Sequence, residues 1–437
     1  MRGTTGKRGS TTNKAITKGL REEVLDRIEE SKESLADLCL ELGNTFAPVG
    51  HEQPLADAVS AWYSQHEISS FQQMITPERS NVIARLPGDG SGRSLIFNAH
   101  LDTELSGPDY ERLMDVPDPN QVGGWRDGDQ LFGHTILNDR GLMAVFMVMG
   151  KVIRDLKVPL TGDILLTSVA GETGQAPVDE YQGLSYEGKG FGSRYLVDHG
   201  IRADYALVAE ATSWGLSWVE CGACYIKITL RGRNMYTPRL IRTERLADHP
   251  NALVKGAEVI RALEAWAIDY ENRNAYESPC GEVRPKAQVG AVRGGIPYRP
   301  NRSSTLCNLY LDVRTIPGAD PLAVLDEVRS VVQEIDPAAL VECYMAKAGC
   351  EGVGVEPLAE AVTGAFESVM GGPPPPPEVA VTSMWRDTNV FNSVGIPSLT
   401  FGTGRGTAHI QGTGSYELDD LVACAKIYAL TAMELCA

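Results

Sequence analysis

Five histidine and carboxylate side chains lie where the sequence pattern predicts the end of a strand or the start of a helix. Histidine and carboxylate together suit zinc, manganese or cobalt better than calcium. Four of the five lie at or just beyond the carboxyl ends of predicted strands, the edge at which open parallel sheets bind ligands. The five residues are His100, Asp139, Glu172, Glu210 and His409. Their pattern predicts a divalent-metal centre.

The elements that must position these side chains alternate between strand-like and helix-like segments. Apolar runs bounded by turns predict strands at 94–99, 163–169, 204–209 and 397–401. Apolar residues at helical spacing occur at 20–42, 141–156 and 421–435. This alternation predicts an α/β fold with a mostly parallel sheet flanked by helices.

The middle of the chain has a different pattern and predicts a second, inserted domain. Strand-like and helix-like segments follow one another at 224–230, 249–270, 306–313 and 321–335. Such a unit forms a compact α+β domain. The predicted divisions are a disordered tail at 1–18, a catalytic α/β domain at 19–216 that resumes at 337–437, and an inserted domain at 217–336.

The composition narrows the classes of partner. The 437-residue chain has a formal net charge of −17, which argues against nucleic acid as a partner because a duplex needs a basic surface. No apolar stretch is long enough to span a bilayer, and the basic N-terminal segment lacks the apolar part of a signal peptide. Cys221 and Cys224 lie in a strand-like run that favours buried thiols. We therefore expect a cytoplasmic protein that acts on a small molecule.

Each candidate residue alone also has an ordinary structural explanation. Asp139 could simply cap a helix, and His409 could be a histidine of a loop. Their shared location at one edge of the predicted sheet favours the metal site instead. Asp102, two residues after His100, is expected to orient that histidine by accepting its second ring N–H.

The sequence resembles a family of metallopeptidases that includes acetylornithine deacetylase, succinyl-diaminopimelate desuccinylase, aminoacylase and carboxypeptidase G. The resemblance covers 20–437 and rests on the stretches 97–102, 138–141, 171–172, 208–212, 249–253, 312–314, 317–318 and 408–409. It implies a two-domain metallohydrolase whose inserted lid domain joins subunits into a homo-oligomer. It also implies hydrolysis of a C–N bond with one or two divalent ions, which could be manganese, zinc or cobalt. The five residues named first would be the metal ligands, and Asp139 would bridge two ions.

The sequence departs from this family at three positions. The family has two adjacent glutamates, a general base followed by a metal ligand, whereas this chain has Gly171 and Glu172. Glu172 is then either the ligand, with the base missing, or the base, with a ligand missing. Tyr236 occupies the position of a lid histidine that would stabilise an oxyanion. His134 lies in a stretch where the family has glycines, and it could reach the site and handle protons or be a loop histidine.

The missing groups are those that serve amide hydrolysis, which requires stabilisation of a tetrahedral oxyanion. Their loss favours attack of water on a ring carbon, such as the conversion of 5-nitroanthranilate to 5-nitrosalicylate and ammonia. Trp385 and Tyr236 could hold a flat ring. Arg314 and Arg386 could bind a carboxylate, or could form structural ion pairs instead. The alternatives are an N-acyl-amino-acid deacylase or dipeptidase, and a binding protein without activity.

Overall fold

The computed structural model of the chain describes residues 17–103, 123–404 and 414–437. The predicted tail at 1–18 falls almost wholly outside these residues, and Lys18 is already the first residue of a helix. Among the described residues no helix is both long and apolar enough to cross a membrane.

The helices and strands of the described residues are numbered in chain order. The helices are α1 (Lys18–Glu30), α2 (Lys32–Asn44), α3 (Gln53–Gln65), α4 (Gly141–Asp155), α5 (Phe191–Asp198), α6 (Ala252–Arg273), α7 (Pro321–Ile335), α8 (Glu356–Met370), α9 (Val379–Thr382), α10 (Thr388–Ser393) and α11 (Leu418–Cys436). The strands are β1 (Ser70–Thr76), β2 (Arg79–Leu86), β3 (Leu95–His100), β4 (Trp125–Asp127), β5 (Gln130–Phe132), β6 (Ile164–Val169), β7 (Tyr205–Val208), β8 (Gly222–Arg231), β9 (Tyr276–Ser278), β10 (Gly281–Val283), β11 (Ala287–Gly294), β12 (Leu306–Thr315), β13 (Leu340–Lys347), β14 (Ser398–Thr400) and β15 (Ser415–Glu417).

The central sheet of the catalytic domain has the strand order β1-β2-β6-β3-β7-β14. Strands β6, β3, β7 and β14 run parallel, while β2 pairs antiparallel with β6 and β1 antiparallel with β2. Every residue of β3, β6 and β7 is buried, as expected for strands covered on both faces. This arrangement confirms the predicted α/β fold and brings the carboxyl ends of β3 and β7 side by side.

Helices cover both faces of the central sheet. On one face α4 is buried along most of its length because its sequence is apolar on nearly every side, and α11 packs against it and against α8. On the other face α5 and α10 form a smaller apolar cluster with the strands. The burial of α4 fixes the position of Asp139, which lies two residues before its first residue, Gly141.

The inserted lid domain is a four-stranded antiparallel sheet of order β11-β12-β8-β13 with α6 and α7 against it. Its core is separate from that of the catalytic domain. Strand β13 pairs with β8, so the lid sheet extends past the boundary predicted at 336. The alternation of β13 is irregular, because a register shift between Cys343 and Met345 interrupts it, and the sequence pattern therefore did not reveal this strand.

Candidate metal centre and substrate cleft

Three of the predicted ligands meet at the carboxyl edge of the central sheet. His100 is the last residue of β3, and Glu210 follows the neighbouring strand β7, so the parallel pairing brings both to one place. Asp139 reaches the same place from the segment before α4. One ligand atom from each residue lies within 4.8 Å of the others, and Nε2 of His100 is 3.5 Å from Oδ2 of Asp139.

Glu172 borders the same centre on its cleft side. Its Oε2 lies 3.9 Å from Nε2 of His100. Burial and the nearby charge of Glu210 raise the pKa of Glu172 to about 8, against the opposing effect of His100. The predicted fifth ligand, His409, lies outside the described residues, and its role stays a prediction.

The residues at this centre fit a divalent cation. Nε2 of His100 is buried and has no hydrogen-bond partner within the described chain. Burial would lower the pKa of this imidazole, but the surrounding carboxylates, first of all Asp139 and Asp102, raise it to about 10. Convergent buried carboxylates around an imidazole repel one another unless a positive charge lies between them. Histidine and carboxylate donors are those that zinc, manganese and cobalt take.

The contacts of Asp102 differ from the prediction that its carboxylate orients His100. Its main-chain carbonyl oxygen, and not its carboxylate, lies 2.8 Å from Nδ1 of His100, whereas Oδ1 is 3.9 Å away. The carboxylate instead accepts hydrogen bonds from the main-chain N–H of Glu172 at 3.0 Å and of Thr173 at 2.9 Å. Asp102 therefore faces His100 through its backbone and fixes the Glu172 loop through its side chain.

A glutamate at position 171, as in the family's adjacent pair, would require its surroundings to move. Its φ of +70° lies in the left-handed region that disfavours side chains. A Cβ at this position would clash with Nη2 of Arg79. Arg79 itself is buried and forms a double ion pair with Glu52, with N–O distances of 2.9 and 2.7 Å. The guanidinium of Arg79 therefore occupies the space next to Gly171, beside Glu172.

Arg386, predicted either to bind a carboxylate or to form a structural ion pair, is not among the described residues that line the cleft. The side chain is buried, and its Nε donates to Oε2 of Glu210 at 2.6 Å. Its Nη1 donates to both carboxylate oxygens of Glu220, at 3.2 and 3.0 Å. These contacts match the alternative prediction for Arg386, a structural ion pair. Arg386 therefore holds Glu210, a candidate metal ligand, through an ion pair.

A cleft of about 710 Å³ opens in front of the metal centre, between the catalytic domain and the lid. Glu172 and Glu210 form part of its lining. Five of the other lining residues are aromatic and come from both domains: Tyr181, Tyr186, Tyr225, Tyr344 and Trp385. The cleft therefore suits a small, flat molecule that reaches the metal centre with one end.

The remaining predicted residues fall into two groups. Trp385 and Arg314 line the cleft, although Arg314 is held by Asp312 through N–O distances of 3.0 to 3.2 Å. Tyr236 is 43% exposed on the lid and lies against Arg302, and it does not line the cleft of its own chain. His134 is half-buried after β5 and is also absent from the cleft lining of the described residues.

Lys189 is a cleft residue that the sequence patterns did not single out. Its side chain is buried, it lines the cleft beside Glu172, and its Nζ lies 5.5 Å from the centre of the Trp385 ring. The feature that could have drawn attention to this lysine is its position between two glycines, Gly188 and Gly190, immediately before α5.

Comparison with known proteins agrees with this architecture. Residues 241–339, in the lid, match the peptidase dimerisation domain of the M20 type. A deformylase of N-formyl-4-amino-5-aminomethyl-2-methylpyrimidine from Bacillus subtilis is 27% identical over 322 residues, which cover 71% of this chain and 69% of that protein. Acetylornithine deacetylase from Buchnera aphidicola is 21% identical over 285 residues, 64% of this chain and 65% of that protein. In its lid domain and in these relatives, the chain is thus similar to M20 metallopeptidases.

Solved structures show the same M20 fold. Human carnosine dipeptidase 1 superimposes with a TM-score of 0.68 at 12% identity, over 95% of this chain and 98% of that chain. A dinuclear metal-binding peptidase of the M20 family from Bacillus subtilis gives a TM-score of 0.59 at 12% identity, over 93% and 98% of the two chains. The relatives and structural neighbours named here are a deformylase, a deacetylase, a dipeptidase and a peptidase.

Proposed function

We propose that this M20 hydrolase cleaves a C–N bond of a small aromatic substrate that carries a carboxylate. The observation that carries the proposal is the aromatic cleft, which opens directly onto Glu172 and Glu210 at the metal centre. His100, Asp139 and Glu210 would hold a divalent cation, together with Glu172 and the predicted ligand His409. Such an ion supplies Lewis acidity and an activated water.

Glu172 is the side chain that can serve both the ion and the substrate. It borders the metal centre through the 3.9 Å approach to His100 and also lines the cleft. Glu172 would help to hold the cation, and its carboxylate would accept a proton from the attacking water and pass it to the departing nitrogen. A pKa raised to about 8 by burial and by Glu210 is close to the pH at which general acid–base catalysis is efficient.

The C–N bond that we favour joins an amino group to an electron-poor ring, as in 5-nitroanthranilate. The family's general base has no room at Gly171, because Arg79 fills that space, and Tyr236 takes the place of the lid histidine. Addition of water to the ring carbon moves negative charge towards the nitro group and not onto a carbonyl oxygen. The balanced reaction adds water and releases ammonia, leaving a phenol. 5-Nitroanthranilic acid aminohydrolase catalyses this type of reaction.

A deacylase or dipeptidase is the second candidate. It is favoured by the two relatives, one a deformylase of a substituted pyrimidine and the other a deacetylase. An N-acyl group on an aromatic or amino acid substrate would fit the same cleft and would need the same metal centre. Glu172 would then have to act alone in the roles that the family divides between two glutamates.

We also infer that the enzyme is a homo-oligomer joined through its lid. The lid matches a dimerisation domain, and β11 lies at the edge of the lid sheet with most of its residues exposed. Large apolar side chains near that edge, among them Val292, Ile296 and Tyr298, are more than half exposed. Light scattering that gives a monomer mass at micromolar concentration would contradict this inference.

The two chemistries can be separated in one turnover screen. Protein loaded with manganese, zinc or cobalt is offered 5-nitroanthranilate, anthranilate, N-acetyl and N-formyl amino acids, and dipeptides, with ammonia and products measured separately. The favoured reaction predicts ammonia from 5-nitroanthranilate and far less from anthranilate, whose ring cannot accept the charge. Release of acyl groups or amino acids without ammonia from any nitroaniline acid would promote the deacylase. No turnover of any of these substrates would overturn the proposed function.

A further inference from the structure

A second cavity, of about 520 Å³, lies in the lid where β8 ends and α6 begins. Its lining comes from the end of β8, the loop that leads into α6, the first turn of α6 and the turn after α7. It shares no lining residue with the substrate cleft. This lid cavity is therefore separate from the metal centre and belongs to the lid alone.

Main-chain contacts fix the chain segments that form the lid cavity. Gly232 has no room for a side chain, because a Cβ there would lie 2.4 Å from the carbonyl oxygen of Pro250. The N–H of Arg233 donates to that same oxygen at 2.7 Å. In the loop before α6 the N–H of Asp248 donates to the carbonyl of Arg245 at 3.1 Å, which closes a single 3₁₀ turn. The backbone that carries Arg233 and Arg245 is thus held in place by hydrogen bonds.

The charged side chains of the lid cavity are mostly positive. Lys255 and Asp336 pair with each other, with 2.9 Å between Nζ and Oδ2, which leaves Asp248 as the other acid of the lining. Three exposed arginines also line the cavity, and among the described residues none of their guanidinium groups has an ion pair or a hydrogen bond: Arg231, Arg233 and Arg245. The chain as a whole carries a formal net charge of −17. A local excess of positive charge around a concave surface attracts anions.

His249 adds a buried hydrogen-bond donor to the same cavity. The residue is only 4% exposed and belongs to the lining. Its Nδ1 accepts a hydrogen bond from the main-chain N–H of Asn251 at 3.0 Å, so the proton of the neutral ring is on Nε2. Within the part of the chain that the structure describes, Nε2 has no hydrogen-bond partner, although buried polar groups usually have one. A ligand in the cavity can supply the acceptor that this N–H lacks.

We propose that the lid cavity binds the phosphate group of a small molecule, held by Arg231, Arg245 and His249. The planar fork of a guanidinium donates two parallel hydrogen bonds to phosphate oxygens. A phosphate monoester has three acceptor oxygens and a charge of about −1.5 to −2 at pH 7, so it can satisfy several donors at once, whereas a single carboxylate has two oxygens and one charge. The concave shape and the buried histidine favour a small molecule over the flat acidic surface of a protein. This site stands independently of the reaction proposed for the metal centre.

The test measures the binding of inorganic phosphate to the metal-loaded full chain by calorimetry. We expect saturable binding that the double variant Arg231→Gln/Arg245→Gln weakens at least about 10-fold, as expected for the loss of charged hydrogen bonds. Arg242→Gln is the matched control, because Arg242 is an exposed arginine of the same loop that lines neither the lid cavity nor the cleft. This control should leave the Kd for phosphate unchanged.

His249→Asn tests the buried donor separately and decides the matter if the double variant does not fold. The asparagine oxygen can still accept the N–H of Asn251, whereas the Nε2 donor is lost, so the Kd should rise about 10-fold. Phosphate could also bind a metal ion, and the titration is therefore repeated after chelation, where the affinity should be the same.

Malonate, a dianion with two carboxylates, distinguishes phosphate recognition from general attraction of negative charge and should bind more weakly than phosphate. Malonate that binds as tightly as phosphate would overturn the assignment to a phosphate group. The site itself would be overturned by a lack of saturable phosphate binding, by binding that disappears on chelation, or by equal affinity in the unmodified protein and the cavity variants.

Discussion

Nε of Arg386 donates to Oε2 of Glu210 at 2.6 Å, so a buried arginine holds a carboxylate that also belongs to the metal centre. The same guanidinium reaches Glu220, whose pKa is raised to about 8 by burial despite this contact. The consequence is that Glu210 presents its carboxylate to the cation from a fixed position. We therefore predict that Arg386 contributes to metal affinity and stability, and not to substrate binding.

Replacing Arg386 by lysine should therefore weaken metal binding and lower stability. Lysine cannot bind Glu210 and Glu220 together with the planar geometry of the guanidinium. Breaking a buried ion pair typically costs about 3–5 kcal/mol when one partner is left uncompensated. Thermal unfolding and metal titration should both show the loss, whereas KM at saturating metal should change little. Arg314→Lys is the matched control, since Arg314 is not in contact with a candidate ligand. A strong rise in KM with unchanged metal affinity would restore the substrate-binding interpretation of Arg386.

A methyl group at position 171 should already disturb the site. Gly171→Ala introduces a side chain at a φ of +70° and into contact with the Arg79 guanidinium. The backbone conformation alone costs about 1–2 kcal/mol, and displacing Arg79 from Glu52 adds to this. We expect a lower free energy of unfolding in a denaturant titration, and an even larger loss for Gly171→Glu.

Gly174→Ala serves as the control for this variant. Gly174 belongs to the same loop, has no positive φ, and its nearest neighbours would be 3.6 Å from an added Cβ. Its stability should stay within about 0.5 kcal/mol of the unmodified protein. A stable Gly171→Glu protein with improved amide hydrolysis would show that the space beside Glu172 is open, contrary to the packing of Arg79.

The sequence predicted the sheet and brought His100, Asp139 and Glu210 to one candidate metal site because both predictions depend on local patterns. Buried parallel strands are continuous apolar runs, and a ligand such as His100 at the end of one can be found by counting along the chain. The partners of these residues could not be found in this way. Glu52 and Arg79 pair with each other across 27 positions, and Arg386 reaches Glu210 across 176.

The same limit explains the errors at other positions. Asp102 was expected to face His100 through its carboxylate, because two residues of separation cannot show which oxygen turns towards the ring. The helical spacing at 20–42 is divided into α1 and α2 at Ser31, a break that leaves the apolar periodicity intact. The sequence patterns did not single out Lys189, whose neighbour Trp385 is distant in the sequence.

Glu172→Gln should distinguish the two roles left open for this residue. As a metal ligand, Glu172 contributes charge to the ion, so its loss should lower metal occupancy measured by elemental analysis. As the proton-transferring group, its replacement should leave the metal in place and reduce kcat by about 10²–10⁴-fold. Its position 3.9 Å from His100 and on the cleft wall leads us to expect both effects together. Unchanged occupancy and unchanged kcat would exclude Glu172 from the centre.

His100→Ala and Asp139→Ala should abolish metal binding while leaving the fold largely intact. Each removes a buried donor from the group whose ligand atoms lie within 4.8 Å of one another. Far-ultraviolet circular dichroism should be unchanged, and activity should be lost in both variants and after chelation of the unmodified protein. Recovery of the chelated protein with manganese, zinc or cobalt would identify the ion that the centre accepts. Full activity after exhaustive chelation, with no metal detected, would rule out a metal-dependent reaction.

Metal binding should release protons, and its affinity should increase with pH. In the metal-free protein the pKa of His100 is raised to about 10 by the nearby carboxylates against the effect of burial, and that of Glu172 to about 8 by burial and Glu210. Both groups therefore hold a proton at pH 7, whereas metal ligands must be deprotonated. We expect calorimetry in two buffers of different protonation enthalpy to show about one to two protons released per ion at pH 7. The number should fall above pH 8, as Glu172 loses its proton before the ion arrives, while His100 continues to contribute up to about pH 10. A proton count near zero at pH 7 in the unmodified protein would show that the ligands are already deprotonated, and that the carboxylates do not hold His100 in its charged form.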